Sequence, residues 1–371
     1  GEAMNTTELE DRFGISFCNR QAIAVESGAG SYVWDEAGNK FLDFTSGWGV
    51  TCLGHSHPVI KVAIFNQAQK IIQNPNSGFT YSPSRAKLLS TLQGLLPPHL
   101  VKLFFVNSGA EANDAAIKLA RKITGKVKIV STLGSFHGRT FNTLSVSVGR
   151  DNTERYLPSL PENQFVGFGD SVAMRRAVDS ATAVVIVEPV QGEGGVIILE
   201  PAYLAQVAEI CREHNALLIV DEIQTAFGRT GAFFALEHSD PAVEPDILTM
   251  GKGIAGGFPF AAFAVTEQIN SRIQKGDHGG TYCDNPLGCA VAASVVAELK
   301  EQNLSQRPRL MGLELLGGLT HLQNKYPELL SGVRGEGGCC VLYNSPLIIM
   351  PIGLLRIAWT AVCWLLQRAT K

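Results

Sequence analysis

One lysine stands in the run DILTMGKGIAGGFPF, residues 246–260, among apolar residues and glycines. Lysine is strongly hydrated and seldom buried without a partner, yet Lys252 closes an apolar segment, Ile247 to Met250, that reads as an interior strand. An amine held there can have its pKa lowered, which suits a Schiff-base former or a general base. The plainer alternative is an ammonium that snorkels to solvent. Gly251, Gly253, Gly256 and Gly257 weaken it, because they let backbone pack closely around something bulky. Asp221 ends another apolar run, LLIV. A carboxylate at such a place costs free energy unless it meets a cation or a strong donor; a salt bridge or helix cap would serve as well as a functional partner. The third stretch is FFVNSGAEANDAAIKLARK, residues 104–122, where an apolar strand runs through Ser108, Gly109 and Ala110 straight into a helix. Glu111 and Asp114 sit in its first turn and Lys118, Arg121 and Lys122 in its last, as the helix dipole favours. A small-residue loop opening a helix presents backbone N–H groups to a phosphate; an ordinary N-cap looks the same. It matches neither GxGxxG nor a Walker loop. Phosphate loop, strand-end carboxylate and strand-end lysine are together what pyridoxal 5'-phosphate requires. The loop holds the phosphate, the carboxylate keeps the pyridine nitrogen protonated, and the lysine holds the aldehyde.

The elements that must position these residues show in the apolar pattern. VKLFFV (101–106), KVKIVST (126–132), TAVVIVE (182–188), ALLIVDE (216–222) and DILTMG (246–251) are continuous apolar runs separated by helical stretches near 110–123 and 201–214. Such runs predict strands buried on both faces of a mainly parallel sheet, the core of an α/β domain. Functional groups then gather beyond the carboxyl ends of the strands, which is where Ser108, Glu188, Asp221 and Lys252 fall. GSYVWDEAGNKFLDF (30–44) reads as a hairpin turning at residues 36–39, and the chain after about residue 286 reads as mostly helical. The expected organisation is a large domain over 49–285 and a smaller α+β domain built from 1–48 and 286–371.

Composition narrows the classes. The 371 residues are 45% hydrophobic with a formal net charge of −3 and no long basic run, enough for a sizeable core and against nucleic acid as a partner. Eight scattered cysteines, none in a CxxC pair, read as reduced thiols of a cytoplasmic protein, and no signal-peptide h-region is visible. His55 and His57 have metal-pair spacing but no neighbouring thiols or carboxylates to complete a site, so no metal is expected. Cys283 lacks the histidine partners of a nucleophile.

The segments LGHSHP, NSGAEANDAAIKLAR, FHGRT, EPVQGEGG, DEIQTAFGRTG, PDILTMGKGIAGGFP and GGTYCDNPL, in unbroken order over residues 25–300, resemble the class III aminotransferases, in the acetylornithine, ornithine and 4-aminobutyrate branch. The resemblance implies fold type I, pyridoxal phosphate as cofactor and a homodimer with shared active sites. It implies that Ser108, Gly109 and Ala110 hold the cofactor phosphate, Phe136 stacks on the ring and Ile223 packs its other face. Asp221 would pair with the ring nitrogen, Gln224 with the ring hydroxyl, and Thr281 with the neighbouring subunit's cofactor phosphate. Lys252 would hold the aldehyde covalently and then act as the base. Arg139 would grip a substrate carboxylate, and Glu193 would pair with a second arginine, opening when glutamate or 2-oxoglutarate binds. His137 would sit near the cofactor without moving protons. The reaction implied is transfer of an ω-amino group to 2-oxoglutarate, with N-acetylornithine as the first choice of donor and ornithine, succinylornithine or 4-aminobutyrate as alternatives.

Three departures bear on the substrate. Trp48, in TSGWGVT, stands where relatives often carry tyrosine or a small aliphatic residue near the substrate entrance. In GGTYCDNPL, Gly280 lacks a hydroxyl that relatives place at the substrate, and Asp284 adds a charge near the subunit boundary. The tail, CCVLYNSPLIIMPIGLLRIAWTAVCWLLQRATK, offers only Arg356 as the second carboxylate-binding arginine, without the Pro-Pro-Leu that follows it in relatives. Its uncharged stretch from Gly337 to Leu355 is broken by Pro346 and Pro351, which favours an altered small-domain ending over a membrane span. A protein that binds the cofactor but transaminates poorly is the remaining alternative.

Overall fold

The computed structural model describes residues 4–147, 154–156, 161 and 163–344. The chain divides into two compact units, one holding Gly1–Pro58 and the other Val59–Ile349. Arg356 and the rest of the tail beyond Asn344 lie outside the described residues.

In the first unit a helix, Thr6–Phe13, starts at a capping box between Asn5 and Glu8. It precedes an antiparallel sheet of β1 (Val25–Ala29), β2 (Tyr32–Asp35) and β3 (Lys40–Leu42). The turn falls at the expected residues because Asp35 closes it, its Oδ1 accepting from Asn39 N at 2.8 Å. His55 meets Asp43 Oδ2 at 2.7 Å through Nε2, and its backbone bridges to Gly30. The LGHSHP histidine is therefore part of a structural turn. Ser46, Gly47, Trp48 and Gly49 all have positive φ, one turn of left-handed backbone that costs about 1–2 kcal/mol per non-glycine residue. Trp48 is largely exposed on it.

The second unit is built on seven strands: β4 (Leu100–Val106), β5 (Lys128–Thr132), β6 (Gln164–Val166), β7 (Thr182–Val187) and, after a short β8 (Val190–Gln191) and β9 (Ile197–Ile198) pair, β10 (Leu217–Asp221), β11 (Ile247–Met250) and β12 (Ala261–Thr266). Their order is β4-β12-β11-β10-β7-β5-β6, and only β12 runs against the rest. The sequence pattern had no place for β12. It follows β11 after a short glycine-rich link, and a link that short can join only antiparallel neighbours, whereas parallel ones need a crossover. Every residue of β7 and β11 is buried, as the unbroken apolar runs require of strands covered on both faces.

The helix Gly109–Thr124 packs across the middle of this sheet with Ala112, Ala115, Ala116 and Ala120 buried, and Ile117, Leu119 and Ile123 filling the spaces between them. Alanines allow close approach to the sheet, while each fully buried isoleucine or leucine contributes about 1.5–3 kcal/mol. The C-terminal part carries the helices Pro286–Glu301 and Gln306–Lys325, and then the hairpin of β13 (Leu330–Glu336) and β14 (Cys339–Asn344). Cys339–Asn344, where the tail begins to read differently from relatives, still forms a regular strand. Among the described residues no helix is long and apolar enough to cross a membrane.

Candidate active site

Five strands deliver side chains to one edge of the sheet. Beyond β4 lies Ser108, beyond β5 Phe136 and His137, beyond β7 Glu188, at the tip of β10 Asp221, and beyond β11 Lys252. Six strands point the same way, so their carboxyl ends share that edge, and a cavity of about 260 Å³ opens there. Its lining includes Gly109, Ala110, Phe136, His137, Arg139, Glu188, Glu193, Asp221, Ile223, Gln224 and Lys252.

The helix that opens at Gly109 brings the first feature. Ser108 has extended backbone and caps the helix, its Oγ accepting from Glu111 N at 3.2 Å, while Glu111 Oε2 accepts from Asn107 N at 2.8 Å. The N–H groups of Gly109 and Ala110, in the first turn, have no acceptor within the helix, which suits an anion such as a phosphate. Gly109 is required by packing: a Cβ there would lie 2.8 Å from Ile223 Cδ1. Ile223 is thereby pressed against the helix start and faces the cavity.

Asp221 is buried and held by donors on both oxygens. Oδ1 accepts from Ile223 N at 2.9 Å; Oδ2 accepts from Asn113 Nδ2 at 2.8 Å and faces His137 Nδ1 at 2.7 Å. A carboxylate can only accept, so His137 carries its proton on Nδ1. A protonated ring nitrogen is the kind of donor that the remaining capacity of Asp221 suits. Glu188 is also buried, accepting from Phe136 N at 2.9 Å, and burial together with the Asp221 charge pushes its pKa well above the usual carboxylate range.

Lys252 begins a short 3₁₀ turn at a positive φ of 40°, a backbone state that a non-glycine residue adopts at a cost of order 1–3 kcal/mol and that clusters at functional sites. Its Nζ donates to Gln224 Oε1. Burial lowers its pKa, and the charges of Glu193, Asp221 and Glu188 oppose that shift. A desolvated amine beside carboxylates can attack a carbonyl and can carry a proton. Arg139 faces the cavity with its guanidinium carbon 5.9 Å from the Phe136 ring centroid.

Two residues expected at the substrate or at the neighbouring subunit's cofactor lie apart from this cavity. Gly280 and Thr281 are exposed and are not among the cavity lining; the Thr281 carbonyl accepts from Gln73 Nε2 at 2.6 Å and Ser77 Oγ at 2.9 Å. Gly280 has a steric reason to lack a side chain, since a Cβ there would be 2.6 Å from Cys283 Sγ. Asp284 is largely buried, 3.6 Å from Arg85 and accepting from Phe105 N at 3.3 Å, so it anchors the loop to β4. Reading the sequence missed Asn113, which sits four residues after Gly109 and so on the same helix face. It also passed over the His137–Asp221 contact, which is invisible in sequence because 84 residues separate the partners.

Residues 17–346 match the family model described as aminotransferase class-III. The chain belongs to the class III aminotransferases. It is 43% identical to an acetylornithine aminotransferase of Methanothermobacter thermautotrophicus over 89% of this chain and 83% of that one. It is 39% identical to the enzyme of the same name from Halalkalibacterium halodurans, over 85% and 80% respectively. Among solved structures, ornithine aminotransferase from Toxoplasma gondii superposes with a TM-score of 0.84 at 30% identity, covering 91% of this chain and 81% of that one. Acetylornithine aminotransferase from Elizabethkingia anophelis does so with 0.78 at 31%, covering 91% and 83%. The mixed seven-stranded sheet with its flanking helices is thus the large-domain fold of this family, fold type I.

Proposed function

We propose that this chain is a pyridoxal-phosphate-dependent transaminase that moves the ω-amino group of N-acetylornithine to 2-oxoglutarate, giving the semialdehyde and glutamate. The observation that carries the reading is the convergence of Lys252, Asp221 and the opening of the Gly109 helix on one cavity. Family membership supports it, as do the relatives named acetylornithine aminotransferase.

The residues present fit the cofactor. Gly109 lets the Ile223 side chain close against the helix start at the wall of the cavity, and Lys252 is partly desolvated next to three acidic side chains. Ser108, Gly109 and Ala110 would hold the phosphate, Phe136 and Ile223 would enclose the ring, and Asp221 and Gln224 would meet its nitrogen and hydroxyl. Once bound, the cofactor supplies an aldehyde to receive the amino group and a protonated ring that spreads the charge left when a carbon gives up its proton. Lys252 contributes Nζ. Its lowered pKa raises the share of amine that is deprotonated and can take the proton from the carbon bearing the donor amine. Arg139 orients the donor by pairing with its carboxylate through two parallel bonds. Glu193 lies close enough to Lys252 to be the carboxylate that most favours its charge. In this reading it holds an arginine until a keto acid takes that arginine over; Arg356, which the sequence offers for that role, lies outside the described residues.

We extend the reading to a homodimer in which Thr281 reaches the neighbouring copy's phosphate. Phe79 and Tyr81 expose nearly their whole side chains, and Ser77, just before them, bonds the Thr281 carbonyl. A face of this kind gains most when covered.

The test uses purified protein loaded with pyridoxal phosphate. A visible band lost in Lys252→Ala, bleached by N-acetylornithine and restored by 2-oxoglutarate is expected. A band that no amino donor bleaches overturns transamination. Faster bleaching by ornithine, succinylornithine or 4-aminobutyrate reassigns the donor.

A further inference from the structure

Asp221 does not stand alone. Asn113 Nδ2 lies 2.8 Å from Asp221 Oδ2 and 2.9 Å from the carbonyl oxygen of His137. Both are acceptors, so the amide nitrogen and not its oxygen must face them, and the orientation of the side chain is settled. Asn113 Oδ1 then accepts from Thr249 Oγ1 at 2.7 Å. Asn113 and Thr249 are fully buried and Asp221 nearly so. The three come from different elements: Asn113 from the helix Gly109–Thr124, Thr249 from β11 and Asp221 from β10, where Thr249 and Asp221 are register partners. Asp221 Oδ1 is tied to the same helix by another route, because the N–H it accepts belongs to Ile223, whose side chain rests against Gly109.

We propose that Asn113, locked by the Thr249 hydroxyl, is the positioning residue that sets the Asp221 carboxylate relative to the helix start at Gly109, so that one rigid element spaces the groups meeting the two ends of the cofactor. The proposal rests on the pyridoxal phosphate reading above. One turn of helix separates Gly109 from Asn113, and a helix turn is far stiffer than the loops that carry Phe136 and Gln224. A carboxylate held from one strand alone could rotate about χ1 and χ2; donors from the helix and from the Ile223 backbone leave it one orientation. His137, which shares its carbonyl with Asn113 and its Nδ1 with Asp221, is fixed by the same amide.

Thr249→Val removes the hydroxyl at nearly constant volume and leaves a buried acceptor unpaired. Cofactor-free protein is titrated with pyridoxal phosphate by fluorescence, the visible band of the loaded protein is followed against pH, and inorganic phosphate is used as a competitor that reports the helix start alone. Thr249→Val is expected to bind pyridoxal phosphate about tenfold more weakly and to shift the pH midpoint of the band, with inorganic phosphate binding unchanged. Thr249→Ser is expected to restore both, and Asn113→Ala to reproduce the defect if it folds. Thr249→Val with wild-type affinity and midpoint overturns the proposal. So does an equal loss of pyridoxal phosphate and inorganic phosphate binding, which would mean general damage to the site. A wild-type protein that binds no pyridoxal phosphate overturns the reading beneath it as well.

Discussion

Glu222, next to Asp221 and fully buried, offers a sharp test of how burial sets the charge of this region. Its Oε1 accepts from Thr225 Oγ1 at 2.7 Å and Ala235 N at 2.6 Å, and its Oε2 from Leu236 N at 3.2 Å. These bonds tie the loop that carries Gln224 to the short helix Ala235–His238. They favour the ionised form, yet burial outweighs them and raises the pKa from 4.5 to about 7. Between those values the folded protein keeps a proton that the unfolded chain releases. The contribution of this group to stability is therefore full below pH 4.5 and declines as pH rises through 7. The shift corresponds to about 3 kcal/mol. Glu222→Gln cannot titrate, and its amide nitrogen must face a backbone or hydroxyl donor, a cost of about 1–3 kcal/mol at every pH. Urea unfolding of both proteins from pH 4.5 to 8 isolates the effect, because other titrations cancel in the difference. Relative to the glutamine variant, the wild type is expected to lose about 3 kcal/mol over that range. Parallel profiles would refute the argument that burial governs Glu222.

Loading of cofactor-free protein with pyridoxal phosphate is expected to accelerate with pH around a midpoint below 10.5, because burial lowers the Lys252 pKa; stopped-flow absorbance would show it, and a midpoint at or above that value would refute it. Arg139→Ala is expected to raise the KM for N-acetylornithine by about tenfold or more while leaving the cofactor spectrum intact; an unchanged KM removes Arg139 from the pocket. Mixing inactive Lys252→Ala with impaired Thr281→Ala is expected to restore activity, since a mixed dimer would regain one site with both residues native. No recovery after subunit exchange, followed by native mass spectrometry, would rule out sharing across the interface.

Lys252, Asp221 and the Ser108–Ala110 loop were legible as candidates because each lies next to a feature with its own sequence signature. Lys252 and Asp221 end continuous apolar runs, and Ser108 to Ala110 separate such a run from a helix whose charges follow its dipole. Buried strands and helix caps impose local rules, so the sheet and the helix start could be placed from neighbouring residues alone. The antiparallel β12 was passed over because AAFAVT is short and alanine-rich, a weak strand pattern, although the short link before it already favours an antiparallel neighbour. Gly280 read as a lost hydroxyl, and the sequence did not show that a Cβ there would also crowd the Cys283 Sγ. Asp284 read as a charge near the subunit boundary, and its contacts with Arg85 and the Phe105 backbone, each 179 or more positions away, could not be seen in the sequence.

The sequence by itself determined which residues end at strand tips and helix starts, because hydrophobic periodicity and capping act over a few residues. Only the tertiary structure decided which of those ends meet. Strand order sets β7, β10 and β11 side by side, so Glu188, Asp221 and Lys252 share one cavity although 64 positions separate the first from the last. The amide of Asn113 reaches Asp221 across 108 residues for the same reason. Hydrogen bonds and desolvation depend on distance in space, and no local pattern in a chain encodes a distance between residues so far apart along it.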